Sequence, residues 1–280
     1  MHSPSCLSQA LLAASVISLG FLAGCPVNQP QDTPVEQRLL TESSTGGSYF
    51  LYVPSSYRKE KPAPIIISCH GTDPFDTADR QVREWKMLAE QHGCLLICPK
   101  LASTDGILGD GPTTALLRDE RLIISILRDL SYRYNLDRRN VLMTGFSGGG
   151  FPAYFVGLRH PDIFSVVVAR NCNFSQRGLQ DWYPMDALRT PIMVYWGEND
   201  PGAIRSQSQA AVTFLRSSGF MVDTDEIMGS GHERHPEVAM AFWLRHWNIG
   251  NAPLGTPAGG YTSTPPPAYP SGQPTITHIP

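Results

Sequence analysis

The sequence predicts an α/β class fold, with a mostly parallel central sheet and helices on both faces. Three observations predict it. Strand and helix patterns alternate from about residue 36 to 250, which is the signature of crossover-connected parallel strands. Ile65-Ile66-Ile67-Ser68-Cys69 is a continuous β-branched run, as expected of a strand buried on both faces. The intervening segments carry helical periodicity: Leu116, Ile123, Leu127, Leu130 and Tyr134 recur at spacings of three, four and seven.

The elements follow in order. Tyr49–Val53 alternates as a strand and stops at Pro54. After Ile65–Cys69, residues Ala78–His92 form a helix closed by Gly93. Leu95–Cys98 is a second buried strand, halted by Pro99. Thr113–Tyr134 is a long amphipathic helix, Val141–Thr144 a strand, and Gly150–Arg159 a helix ended by Pro161. Phe164–Ala169 and Ile192–Tyr195 are strands. Ile204–Ser217 is a helix with Gly219 as its C′ residue, Phe220–Ile227 the last strand, and Pro236–Trp247 the last helix, with Pro at its first position.

A chain of 280 residues fits one such domain with short appendages. Its formal net charge of −3 and lack of any Lys/Arg block give nucleic acid no electrostatic footprint. Residues 1–24 read as an export signal: the apolar run Leu11–Ala23 is too short to span a bilayer and ends in Leu22-Ala23-Gly24-Cys25. Small residues before a Cys resemble the bacterial lipoprotein box, which makes Cys25 the expected lipidation site and membrane anchor in the cell envelope. The run lacks a Lys or Arg before it, and an ordinary secretory signal is the alternative. Residues 25–35 form a polar tether. Residues 251–280, rich in Pro, Gly, Ser and Thr, have no capacity to bury a core and are expected to be disordered. Cys69, Cys94, Cys98 and Cys172 remain for the catalytic domain, 36–250. They are either paired or buried thiols, but Cys94 and Cys98 share a predicted strand and do not suit each other. No Cys-x-x-Cys unit or neighbouring His pair points to a metal, and no cofactor is expected.

The chemistry-bearing residues fall at predicted strand ends, where open α/β sheets place their sites. Gly145-Phe146-Ser147-Gly148-Gly149 follows a strand and opens a helix, the context in which Gly-x-Ser-x-Gly is informative. A serine hydroxyl needs a base to take its proton. His232, after the last strand and behind Gly231, is the candidate, with His235 as its rival. The base needs an orienting carboxylate, and Asp200, in the loop after Ile192–Tyr195, is the candidate. Glu198 is its rival, and helix capping is the other role open to Asp200. The N–H of Gly148 and that of Thr72, in His70-Gly71-Thr72, are candidate oxyanion donors; His70 reads as a structural loop histidine. Trp182, Tyr183 and Trp196 either line a substrate pocket or simply pack.

At these residues the chain resembles the polyhydroxybutyrate-depolymerase-like and feruloyl-esterase-like branch of the α/β-hydrolase superfamily. The resemblance covers roughly residues 36–250. It rests on Tyr52-Val53-Pro54-Ser55-Ser56-Tyr57, Pro64 to Gly71, Asn140 to Gly150, Gly197-Glu198-Asn199-Asp200-Pro201 and Gly231-His232. It implies hydrolysis of a carboxylic ester through an acyl-enzyme; with Ser147, His232 and Asp200 as a Ser–His–Asp triad, the expected substrate is a small, polymer-linked or cell-wall-linked ester. Thr72 replaces the Cys common in the branch, and Trp196 replaces a common His. The short stretch between the Phe164 and Ile192 strands predicts no large lid domain. A serine peptidase of the prolyl-oligopeptidase type shares the order of catalytic residues, although such enzymes usually add a propeller. A non-catalytic surface-binding lipoprotein on the same scaffold would be expected to have lost triad members, and all three are present.

Overall fold

The computed structural model describes residues 38–104, 112–176, 179 and 183–247. The expected signal, the lipidation site Cys25, the tether, the Pro-rich tail and Trp182 lie outside them. Eight strands among the described residues form one sheet in the order β1-β2-β4-β3-β5-β6-β7-β8. These are β1 (Arg38–Thr41), β2 (Ser48–Tyr52), β3 (Ala63–Cys69), β4 (Leu95–Pro99), β5 (Leu136–Phe146), β6 (Val166–Arg170), β7 (Ile192–Gly197) and β8 (Val222–Ile227). β1 and β2 are antiparallel to their neighbours; the pairs from β4 to β8 are parallel.

The period-2 alternation of a strand decides what each face of the sheet packs against. Ile65, Ile67 and Cys69 of β3 enter one core. They share it with Ile123 and Leu127 of α2 (Pro112–Arg133), Val156 of α3 (Gly150–Arg159) and Leu215 of α4 (Gly202–Ser217). Ile66 enters the other, with Trp85 of α1 (Ala78–His92) and Trp243 of α5 (Pro236–Arg245). All seven residues of β3 are buried, which is why its sequence does not alternate in polarity.

Most boundaries match the pattern in the sequence. Gly93 closes α1 in the left-handed conformation at φ 70°, its N–H bonded to the carbonyls of Ala89 and Glu90, and Gly219 adopts φ 93° past α4. Three elements differ. β5 begins five residues before the apolar Val141–Thr144 run, because the polar Asp137–Asn140 stretch still pairs toward β3 through Ala63 and Leu136 with a register shift. β1 carries no burial signal, since it is an outer strand with a largely exposed pattern. α5 stops at Arg245 rather than Trp247, although Trp247 still stacks on Trp243 with ring centroids 5.2 Å apart. The β6–β7 connection includes the short 3-10 turn Met185–Arg189. No helix among the described residues is long and apolar enough to cross a membrane.

Candidate active site

Ser147 sits where β5 ends and α3 is about to begin. Its φ of 52° is a left-handed conformation that non-glycine residues adopt at a cost on the order of 1–3 kcal/mol. The flanking sequence makes the turn possible. A Cβ on Gly145 would lie 2.1 Å from the Gly149 carbonyl oxygen, and one on Gly149 would lie 2.4 Å from that of Cys69. Side chains at either position are sterically excluded, so the glycine spacing around the serine is a packing requirement. Asn173 N–H donates to the Ser147 carbonyl at 2.9 Å and pins the turn to the loop after β6.

Asp200 and His232 are joined. The Nδ1 of His232 lies 2.6 Å from Asp200 Oδ1, and the Asp200 side chain is fully buried while the His232 side chain is 32% exposed. An acceptor-only carboxylate at Nδ1 fixes the neutral ring with its proton on that nitrogen, leaving the Nε2 lone pair free. The second carboxylate oxygen accepts from Asn171 Nδ2 at 2.6 Å. Asn171 also adopts a left-handed φ, 51°, and its amide reaches the Gly231 carbonyl at 3.2 Å. The Asp200 and His232 loops are stitched by their backbones too: Glu198 N–H donates to the Ile227 carbonyl and Asn199 N–H to that of Ser230. Gly197 permits that approach, since a Cβ there would lie 2.2 Å from the Gly231 oxygen.

The rivals are engaged elsewhere. Glu198 accepts the Gly229 N–H at 2.8 Å. α4 has Pro201 at its N-cap without a side-chain cap bond, so Asp200 is not a helix cap. His235 contacts Ser230 Oγ at 2.8 Å through Nε2 and Glu237 through Nδ1 at 3.1 Å.

Phe146, the residue before Ser147, lies against His232, its ring 4.7 Å from the imidazole, centroid to centroid. Among the hydrogen bonds of the described residues, none joins Ser147 Oγ to the ring. Such links are often long without substrate and tighten only in the reacting complex.

Gly148 and Thr72 face each other. A carbon built on Gly148 Cα would stand 3.1 Å from the Thr72 nitrogen and 2.7 Å from its Oγ1, and one on Gly71 would stand 3.1 Å from Ser147 Cβ. The Gly71–Thr72 peptide is held by His70. Leu101 N–H donates to His70 Nε2 at 3.0 Å, so the ring proton resides on Nδ1, which lies 2.8 Å from the Gly71 carbonyl. In a trans peptide this aims the Thr72 N–H away from that carbonyl.

Two of the three aromatic candidates, Trp196 and Tyr183, lie among the described residues. Trp196 is 8% exposed, belongs to the core and donates its indole N–H to Glu226 at 3.1 Å. Tyr183 packs edge-on against Phe220 at 4.9 Å. These contacts tie Trp196 to β8 and Tyr183 to the segment after α4.

Three residues in the site were not legible in the sequence: Asn171, Asp76 and Arg234. Asp76 Oδ2 accepts the Gly71 N–H at 2.7 Å and Gln81 Nε2 at 2.8 Å. Arg234 pairs with Asp76 at 2.9 Å and Glu84 at 3.2 Å, and Glu84 pairs with the fully buried Arg170. Burial pushes the Asp76 carboxyl up, but Arg234 and the Gly71 N–H outweigh it and hold it below the ordinary range. Burial dominates at Glu84 and raises it despite Arg170 and Arg234. Cys69, Cys94, Cys98 and Cys172 are all free and buried. Among the described residues no group of three or more His, Cys, Asp or Glu converges as a metal site.

No protein-family model matches the chain. A 116-residue stretch is 27% identical to the bifunctional acetylxylan esterase/xylanase XynS20E of Neocallimastix patriciarum; the match spans 40% of this chain and only 16% of that protein. Among solved structures, the CE1 ferulic acid esterase AmCE1/Fae1A of Anaeromyces mucronatus aligns with a TM-score of 0.59 at 15% identity, over 81% of this chain and 96% of that one. The fold is that of the α/β-hydrolases. Dipeptidyl peptidase 4 of Porphyromonas gingivalis shares the α/β-hydrolase architecture with a TM-score of 0.55 at 12% identity, over 77% of this chain but 35% of the peptidase. On this scaffold the candidate residues occupy loops at the carboxyl ends of β3, β5, β7 and β8.

Proposed function

We propose that the chain is a serine hydrolase that cleaves carboxylic esters through an acyl-enzyme. The observation that carries the reading is the Asp200–His232 contact at 2.6 Å, with Asn171 on the other carboxylate oxygen, beside a serine in a left-handed turn. Ser147 Oγ attacks the ester carbonyl carbon while His232 Nε2 takes its proton. The carbonyl π electrons move to oxygen, and the N–H groups of Gly148 and Thr72 receive the oxyanion. Collapse breaks the C–O bond to the alcohol, which leaves with the proton from His232. Water, deprotonated by the same ring, attacks the Ser147 acyl group; collapse of the second tetrahedral adduct releases the acid and returns the proton to Ser147.

Two named similarities support an ester rather than a peptide substrate: the acetylxylan esterase/xylanase and the ferulic acid esterase. The substrate class we infer is an acyl or aromatic-acyl ester on a polymer or cell-wall saccharide. The Leu22-Ala23-Gly24-Cys25 sequence supports export and lipid attachment at Cys25, and palmitate incorporation abolished by Cys25→Ala tests that part. An organophosphonate probe tests the reaction. Labelling that maps to Ser147 and is lost in His232→Ala is expected; a protein that takes no label at Ser147 contradicts the reading.

A further inference from the structure

We propose that Arg234 is a positioning residue that ties the base loop to the oxyanion loop and so holds the Thr72 donor in register with His232. This rests on the acyl-transfer reading above. Arg234 lies two residues beyond His232, yet its guanidinium reaches across to Asp76 at 2.9 Å and to Glu84 at 3.2 Å. Asp76 brackets the oxyanion loop: its side chain accepts the Gly71 N–H at 2.7 Å, and its own N–H donates to the Thr72 carbonyl at 3.0 Å. Glu84 continues the chain of charges to Arg170. Arg170 directly precedes Asn171, the residue that holds Asp200.

The same guanidinium lies 4.6 Å over the Phe146 ring, and that ring also contacts the His232 imidazole. Arg234 thus touches the residue preceding the nucleophile, the loop carrying the oxyanion donor and, through the backbone, the base. These loops come from β5, β3 and β8, with 150 residues between Arg234 and Glu84. A planar, permanently charged fork suits two carboxylates at once. Its charge also keeps Asp76 ionised and therefore an acceptor for Gly71, against the pull of burial.

Because the Thr72 donor acts on charge that develops only in the transition state, a misplaced loop lowers kcat and leaves KM unchanged. The test uses p-nitrophenyl acetate and phenylboronic acid, which forms a tetrahedral adduct with a reactive serine. Arg234→Ala is expected to lose kcat by about 10- to 100-fold with unchanged KM, and to lose phenylboronic acid affinity in proportion. Guanidinium chloride, kept below denaturing concentrations, is expected to restore part of kcat to Arg234→Ala and none to Asp200→Asn. Arg234→Lys, which keeps the charge but not the fork, should fall between. If Arg234→Ala shows no cooperative unfolding transition, Asp76→Asn takes its place, with a severalfold fall in kcat at unchanged KM.

Wild-type kcat in folded Arg234→Ala, or in Asp76→Asn where that variant takes its place, overturns the inference. So does a raised KM at wild-type kcat, which would make Arg234 a substrate contact. A wild-type protein with no turnover and no organophosphonate label at Ser147 overturns the acyl-transfer reading itself, and is distinguishable because it appears before any substitution is made.

Discussion

Asp200 holds His232 with one carboxylate oxygen and Asn171 with the other, each at 2.6 Å. The buried carboxylate therefore has a partner on each oxygen, and the imidazole is left with one free nitrogen. Asp200→Asn keeps the shape but offers an amide in place of one acceptor, which disturbs the tautomer of the ring. A loss of kcat of about 10³- to 10⁴-fold is expected. Glu198→Gln and His235→Ala, whose side chains are engaged with Gly229 and with Ser230 and Glu237, should retain most activity toward p-nitrophenyl acetate. An inactive His235→Ala beside an active His232→Ala would reverse the assignment of the base.

His70 governs the direction of the Thr72 N–H through the Gly71 carbonyl. Truncating it to Ala also strands the Leu101 N–H, at a cost of about 1–3 kcal/mol in unfolding free energy. The expected kinetic result is a fall in kcat on the order of 10-fold or more at steady KM. Urea unfolding and steady-state kinetics on the same preparation separate the two effects. Wild-type kcat in His70→Ala would show that the peptide needs no such support.

Within the buried ion cluster, Asp76 gives stability a defined acid limb. Burial pushes the Asp76 carboxyl up, and Arg234, acting against it, holds the group below its ordinary pKa. A carboxylate with a depressed folded pKa stabilises the native state at pH values above its unfolded pKa, about 3.9, and that contribution is lost as pH falls through the folded value. Urea unfolding from pH 6 to pH 2 should show a shallower acid decline in Asp76→Asn than in the wild type. Equal slopes below about pH 4 would mean that the fold does not hold the Asp76 carboxyl below its ordinary pKa.

The four thiols of the described domain lie within the core, and burial pushes Cys94 and Cys172 up to about 12. Thiolates are the reactive species, so a domain beginning after Cys25 should give no rapid reaction with Ellman's reagent when native and should release four thiols when denatured. Reductant should leave its melting temperature unchanged. Fewer than four thiols in the denatured protein would reveal a disulfide.

Much of this was readable from the chain because it depends on local rules. The elbow at Ser147 announces itself as strand, glycine-flanked serine and helix, and its glycines are there because Gly145 and Gly149 pack backbone against backbone. Gly93 and Gly219 end their helices through the same kind of local conformational demand. Arg234 and Asp76 read in sequence as ordinary loop charges, since only the folded sheet brings their loops together. Asn171 gives no sign of its role because its left-handed backbone is imposed by the end of β6. An aromatic residue near a strand end suits a pocket and a core equally, so the contacts of Tyr183 with Phe220 and of Trp196 with Glu226 leave no trace in the sequence.

Rapid-quench mass spectrometry during p-nitrophenyl acetate turnover reads out whether Ser147 carries the acyl group. A burst of p-nitrophenol matched by acetylation of the peptide containing Ser147 is expected, both abolished by Ser147→Ala. Turnover that persists in Ser147→Ala, or an acetyl group that accumulates on another residue in the burst, would contradict it.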